Sequence, residues 1–498
     1  MRISGRSFEH GNVLLCVLCT ILVVSLIGGN VLLNCMTRYN VASSQVRSWK
    51  ESLDAAETGG DIAYAEIRKT ILDPTHAFSG WTHSGGVYSN SAVTYGNDSL
   101  TTSGKVDLFY YDSNGNPWYR IRTKGTAPVL GLKRVGMDDR MGPNNRGDSL
   151  LRKIDFNYDH FVATYGPNGD GLNKALVPVS RPQVTRRVEL VAAPITPFEA
   201  AIKAGGTFYG LGSAAYVDSF RSTTGPYNAS VKTNPSDPRY VDSRVGTVQI
   251  NTSVGTIMGS IYGNFYTNGG TVTKNTTSIT GIIDNNVPFT LAPFLMPDTS
   301  DWSYIPNPTA VTGNTTITPP AAGSASNPNY YLLTSFVTNG NLTVNPYVSN
   351  GTAQETYVAI HVTGDVGSNT GQGATITVPA HVHLQVYFDG NFGAKAENII
   401  NTSGYAGNLQ FYGISPTDPT VQQTVNLNSG GSSSAGFSAV FYAPSANFTI
   451  NGSPDITGAI VCKNFYSNGN VHWHYDRALD GQGDAVDYRV ISYVEDIR

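Results

Sequence analysis

The chain has 498 residues, with 32 Lys and Arg against 36 Asp and Glu, a net charge of −4 and only 14 % charged residues. That length exceeds one ordinary domain and predicts two or three. The lack of a basic field argues against nucleic acid as a partner. Gly (53) and Tyr (28) are abundant beside many Asn, Ser and Thr, a mix suited to short strands joined by tight turns, because Gly and Asn tolerate positive φ. Of four cysteines, Cys16, Cys19 and Cys35 share one apolar stretch and Cys462 stands alone. No intrachain disulfide framework is therefore expected in the folded parts.

The apolar stretch, residues 11–37, holds no charged side chain and exceeds the ~20 helical residues that cross a bilayer. A single span of this kind must be helical, since lipid offers backbone amides no partner. Arg2 and Arg6 precede it and Arg38, Arg47 and Lys50 follow, which predicts a short cytoplasmic leader (1–11), an inner-membrane anchor and an exported remainder. A cleaved secretory signal fits less well: its only small-residue exit is Asn40-Val41-Ala42. Asn34 before Cys35 does not suit a lipid anchor, and Cys16-Val17-Leu18-Cys19 has redox spacing but lies in an apolar helix. The helix is predicted to continue with Val46, Trp49, Leu53 and Ala56 as one stripe, to loosen at Gly59-Gly60, and to stop at Asp73-Pro74.

The short leader, the apolar helix opening at a glycine, and Leu53-Asp54-Ala55-Ala56-Glu57-Thr58-Gly59 resemble the amino-terminal segment of PilX-type minor pilins of type IV pili. The resemblance implies prepilin peptidase processing between Gly11 and Asn12 and a helix motif at Ala55, Ala56, Glu57 and Gly59. It also implies other pilins or pseudopilins as partners. Cys16 stands where major pilins carry a glutamate, a residue that PilX-like and pseudopilin-K-like members also lack.

Residues 76–200 read as a small α+β pilin-like region. Leu108–Tyr111, the turn Asp112–Pro117 and Trp118–Thr123 form a strand–turn–strand, and Val184–Ala192 is another strand. Met137–Asp148 is a polar loop whose Arg146-Gly147-Asp148 resembles an integrin-binding tripeptide. From Thr207 onward repeats appear. Ile261-Tyr262-Gly263-Asn264-Phe265, Ile279-Thr280-Gly281-Ile282-Ile283 and Ile456-Thr457-Gly458-Ala459-Ile460 share an apolar-polar-Gly-any-apolar pattern, and Phe265-Tyr266-Thr267-Asn268-Gly269 recurs as Phe465-Tyr466-Ser467-Asn468-Gly469. Units that cannot bury their own apolar face stack into one core. The expected fold is mainly β with a long N-terminal α-helix and a parallel β-helix-like body, a β-sandwich being the alternative. The predicted divisions are a helix at 12–75, β-helix parts at 201–297 and 330–480, a loop or linker at 298–329, a surface loop at 428–434 and a tail at 481–498. Gly436–Ala446, Gly458–Val461 and His474–Leu479 are similar to an uncharacterised β-rich carboxy-terminal domain that accompanies PilX-type helices in bacterial surface proteins.

Two histidine pairs carry the candidate chemistry. His381/His383 and His472/His474 alternate along strands, which puts each pair on one face. With Asp389 or Asp476 beside them, a divalent metal site is conceivable; the bland reading is a rung-stacked polar pair, with Tyr475-Asp476 capping the last rung as an open edge. Asp218, Asp242, Asp284, Asp389 and Asp455 are scattered, and no nucleophile elbow, phosphate loop or HExxH motif occurs. No enzyme activity and no cofactor are expected. Exposed Tyr and Asn can contact surface glycans by stacking and hydrogen bonding. The expectation is a pilin-like, membrane-anchored surface protein, a minor or tip subunit of a type IV pilus or pseudopilus serving assembly initiation or adhesion. The alternatives are a single-pass anchored β-helix adhesin outside any filament, and a β-helix carbohydrate-active enzyme.

Overall fold

A computed structural model describes residues 9–95, 100–112, 115–129, 183–251, 254–257, 259–269, 272–274, 279–287, 289, 291, 293–337, 339–367, 373–429, 437–483 and 485–496. Residues 1–8 of the expected leader, Met137–Asp148 with its Arg146-Gly147-Asp148, and 430–434 of the expected surface loop lie outside these. The chain divides into two units, residues 1–110, 117–193 and 489–498 in the first, and 111–116 and 194–488 in the second.

Unit 1 is built on helix α1 (Glu9–Leu72). Its sheet runs in the order β1 (Thr82–Ser84), β2 (Val87–Ser89), β4 (Leu100–Tyr111), β5 (Pro117–Pro128), β6 (Gln183–Ile195) and the C-terminal strand Asp487–Asp496, with β3 (Val93–Tyr95) also on β4. The expected strand–turn–strand is β4 and β5, and β5 pairs antiparallel with β6 from Tyr119↔Ala192 to Pro128↔Gln183. Residues expected as a tail at 481–498 include that C-terminal strand, a correction: Val490, Ile491, Tyr493 and Val494 carry its β-propensity. No helix is found among the described residues of 76–200.

The face of α1 that meets the sheet shares Ala56 with the predicted stripe, leaves Leu53 half-buried and excludes the rest of it. Ser48, Ser52, Ala55, Ala56, Gly59, Gly60, Ala63 and Ile67 are buried, whereas Val46 and Trp49 are exposed. The spacing is helical, but the residues are small, so the helix can approach the strands almost to backbone contact. Thr123 Oγ1 donates to Ala56 O at 2.7 Å and Ser48 Oγ to Pro128 O at 2.9 Å. At Gly125 a Cβ would run into Ser52 O and Ala56 N. Gly59-Gly60 does not loosen the helix, which runs unbroken to Leu72; the glycines face Thr102 and Leu190 with no room for a side chain, and packing outweighs their ~1 kcal/mol propensity cost.

Unit 2 is a parallel β-helix-like stack. One inward ladder runs Tyr331–Ile360–Val386–Phe411–Phe441–Ile460–Ile202–Val248–Phe265–Ile283 through successive parallel pairings. A second runs Val311–Phe336–Val366–Phe392–Val425–Phe448–Phe465–Phe208, with Phe411 over Phe441 at 4.5 Å and Phe208 over Phe465 at 5.2 Å between ring centroids. Asn side chains line the turns, as in Asn428–Asn451–Asn468, bonded at 2.8 and 3.0 Å. Gly458, the centre of one repeat, has φ +135°, and a Cβ there would strike Ala439 O.

Order along the stack is not order along the chain. The first coil, Ile202–Phe220, lies on the coil of residues 455–476 through Ile202↔Ile460, Phe208↔Phe465 and Val217↔Trp473. Its other side pairs with Val248–Ile250 and Ser260–Ile261. The chain thus starts mid-stack, climbs to Asp284, and reappears at Ser303 at the far end. Described residues of the link pass down the outside. Asn251 donates to Phe289 O at 2.8 Å, Ser415 N donates to Phe294 O at 2.7 Å, and Trp302 meets Tyr330 at 5.5 Å. Phe294 covers an outward ladder of Tyr387, Tyr412 and Tyr442, its ring 4.9 Å from Tyr412. The loop expected at 298–329 is corrected as well. Ser303–Tyr304, Ala310–Val311 and Asn314–Ile317 pair in parallel with Asn329–Tyr330, Ser335–Phe336 and Asn341–Val344. Prolines at 306, 308, 319 and 320 broke the alternation that would have revealed strands, and proline is tolerated in a stack-end coil because it removes donors an edge leaves unpaired.

Two substitutions and one control test this packing. Gly125→Val forces side-chain volume against the backbone of α1, and the expected cost is about 1–3 kcal/mol, read as a lowered denaturant midpoint. Phe448→Ala opens the second ladder and should cost about 3–5 kcal/mol, while the exposed Tyr304→Ala should stay within about 0.5 kcal/mol.

Candidate functional site

Helix α1 carries two chemistries along one rod. Leu14 to Asn40 is exposed throughout, with Leu15, Leu18, Ile21, Leu22, Leu26 and Leu33 each about 60 % accessible. It is the one helix among the described residues that is long and apolar enough to cross a membrane. Gly11 and Asn12 fall in the helical backbone. The motif residues have defined roles: Ala55, Ala56 and Gly59 sit in the buried seam, and Glu57 Oε1 accepts from Tyr493 OH at 2.6 Å. Burial first and Glu57 second push the Tyr493 hydroxyl up to about 12.

Neither histidine pair meets the expected carboxylate. His381 Nδ1 and His383 Nε2 share Glu355, at 2.5 Å to Oε1 and 2.8 Å to Oε2, and His383 stacks on Tyr357 at 4.4 Å. The bond to His381 and then that to His383 hold the Glu355 carboxyl below its usual range despite partial burial. Asp389 instead faces His361 Nε2 at 2.9 Å. Asp476 accepts from Ala478 N at 2.9 Å and Ser222 N at 3.0 Å, and burial raises its pKa. Nor does Tyr475-Asp476 close an open edge, because Ser219–Phe220 stacks directly on it. Among the described residues no group of three or more His, Cys, Asp or Glu is arranged to hold a metal ion.

Pairwise spacing in the sequence did not reveal what His472 and His474 join. His474 Nδ1 contacts Asp218 Oδ1 at 2.7 Å and its Nε2 lies 3.8 Å from Asp455 Oδ1, while His472 Nδ1 contacts Asp455 Oδ1 at 2.7 Å. Asp218 Oδ2 accepts from Lys232 Nζ at 2.7 Å and Tyr227 OH at 2.8 Å. Lys232 Nζ sits 3.5 Å from the Tyr216 ring centroid, and Tyr216 stacks on His472 at 4.3 Å. Asp218, Lys232 and His474 are buried. The network ties the segment 221–247, with its three 3₁₀ turns, to the outer face of the stack. Lys232 and His474 both contact buried Asp218, which compensates the burial of its charge. Burial opposes the His474 charge most strongly, yet the bonds to Asp218 and Asp455 outweigh it and the pKa is raised. Asp455 is lowered, chiefly by His474. In the linear sequence Asp218 and Asp455 were only scattered carboxylates and nothing marked Lys232, Tyr216 or Tyr227, because His474 and Asp218 lie 256 positions apart.

The sign of the pH dependence follows. His474, raised above 6.5, supplies stability that is complete below that value and lost as pH rises through its folded pKa. Asp455, depressed below 3.8, supplies stability present above that value and lost as pH falls through its folded pKa. Urea midpoints of unit 2 unfolding should therefore decline on both sides of mildly acidic pH, and His474→Gln should flatten the alkaline limb. Lys232→Ala, which strips a partner from buried Asp218, should cost about 3–5 kcal/mol.

A family model described as a domain of unknown function (DUF7305) matches residues 311–482. The match takes in the stack from Val311 to the coil that carries His472 and His474. No curated protein matches the chain. Among solved structures, the crystal structure of the competence-associated pilin ComZ from Thermus thermophilus is similar at 11 % identity and a TM-score of 0.25, over 90 % of this chain and 97 % of that one.

Proposed function

We propose that this chain is a pilin-like, membrane-anchored surface protein, a minor or tip subunit of a type IV pilus or pseudopilus that displays a β-rich body. The observation that carries the reading is the division of α1. Its front half is bare and apolar, and its rear half is docked through a small-residue seam onto an antiparallel sheet. That division suits a subunit held in the inner membrane through one half of the rod and packed later against other pilins or pseudopilins. The motif residues Ala55, Ala56 and Gly59 serve the docking, which gives the resemblance in that stretch a physical reason.

Unit 2 is the displayed part in this reading, serving assembly initiation or adhesion, with surface glycans as the adhesion partner. It is inserted between β6 and the C-terminal strand, adjacent in the sheet of unit 1. A non-catalytic body is supported by how its polar groups are used: the histidines and most carboxylates named above bond to one another or to turn amides.

Mass spectrometry of the amino terminus, on protein recovered from membranes and from sheared surface filaments, tests the proposal. A mature chain beginning at Asn12 is expected, as prepilin peptidase processing after Gly11 would leave it. An intact Met1 together with absence from sheared filaments overturns the pilin reading in favour of a plain single-pass adhesin.

A further inference from the structure

The bare half of α1 is not uniformly apolar, and two kinds of polar side chain stand out in it. Thr20 and Thr37 satisfy their hydroxyls inside the helix, donating to Cys16 O and Leu33 O at 2.8 Å each. Asn30 and Asn34 share a single hydrogen bond, Asn34 Nδ2 to Asn30 Oδ1 at 3.4 Å. Each carboxamide has two N–H donors and a carbonyl that accepts twice, so most of this capacity is unmet among the described residues. Helical backbone offers it nothing, and hydrocarbon offers it less.

The two amides also lie on a seam. At 3.6 residues per turn, Cys16, Cys19, Val23, Leu26, Asn30, Asn34 and Thr37 succeed one another in steps of three and four along one narrow face, with Cys35 on the opposite side. That face carries both amides, Thr37 and two of the three cysteines of an otherwise Leu-, Ile- and Val-rich helix, while Thr20, Ser25, Gly28, Gly29 and Cys35 lie off it.

We propose that this seam is a contact surface for a second copy of this chain, whose Asn30 and Asn34 exchange amide hydrogen bonds with those of the first. Two copies inserted in one membrane share an orientation and bring like residues to the same depth. A carboxamide is both donor and acceptor, so the pair is complementary to itself. Amides at seam positions fix register and partner number in apolar helices, and the small Cys16, Cys19 and Val23 allow close approach. The inference rests on the reading that residues 14–36 lie in lipid.

The test uses the full chain in vesicles of phosphatidylethanolamine and phosphatidylglycerol. Variants retain Cys16, Cys19 or Cys35 as the single helix thiol, with the fully buried Cys462 left in place, and are oxidised with copper-phenanthroline. Covalent dimer is expected from the Cys16 and Cys19 chains about tenfold faster than from the Cys35 chain. Asn30→Leu with Asn34→Leu should weaken pairing by roughly tenfold, without loss of insertion since both changes are apolar. Density-gradient flotation reads insertion independently: protein that does not float with the vesicles defeats the lipid reading on which the seam depends. Floating protein that cross-links equally through Cys35, that ignores the paired Asn changes, or that dimerises only when another membrane helix is added overturns the self-contact.

Discussion

A strand in a parallel stack finds partners for its amides only in the strands on either side of it, and that constraint governs most of this molecule. In unit 2 the first coil made by the chain needs the last one. Ile202, Phe208 and Val217 rest on Ile460, Phe465 and Trp473, so the early coils have an open face until residues 455–476 arrive. Such pairing closes a very long loop before it returns any stabilisation. The link down the outside is what makes the order possible. Phe294 and Trp302 bury against Tyr330, Tyr387, Tyr412 and Tyr442, so the returning segment is fastened by aromatic contacts and does not trail free.

Unit 1 meets a different constraint. A helix that is bare along one half and docked on a sheet along the other cannot be apolar on every side along its whole length. The chain solves this by changing residue size as well as polarity. Large aliphatic side chains fill the front half, while Ser, Ala and Gly line the face that touches β5. Close approach lets Thr123 and Ser48 bond across the interface, a contact that larger residues would prevent.

The sequence made the gross architecture legible where a residue type had only one physical use. An uninterrupted apolar stretch, a Gly-centred repeat and turn-lining Asn each survive in the structure. It was illegible where the cause is non-local. Pro-rich residues 303–317 lack alternation, yet become strands because 329–344 offers them a template. Helical periodicity pointed to Val46, Trp49, Leu53 and Ala56 as the packed stripe; the sheet took Ala56 and the small residues around it, and left Val46 and Trp49 exposed. The histidine pairs were visible as pairs, but their partners Asp455, Glu355 and Asp218 lie 17, 26 and 256 positions away, and no short-range spacing rule reaches them. The Asp218–Lys232–His474 network is therefore a product of topology.

Both ends of unit 2 return to one sheet: the chain leaves unit 1 after Ala193 and re-enters it at Arg489. Proteases cut first at exposed loop tips. A single nick inside the β-rich body would leave two fragments, each still joined by its own peptide chain to a strand of unit 1. The rung hydrogen bonds and the Phe ladder would hold those fragments together, so the body has two moorings and one cut does not shed it.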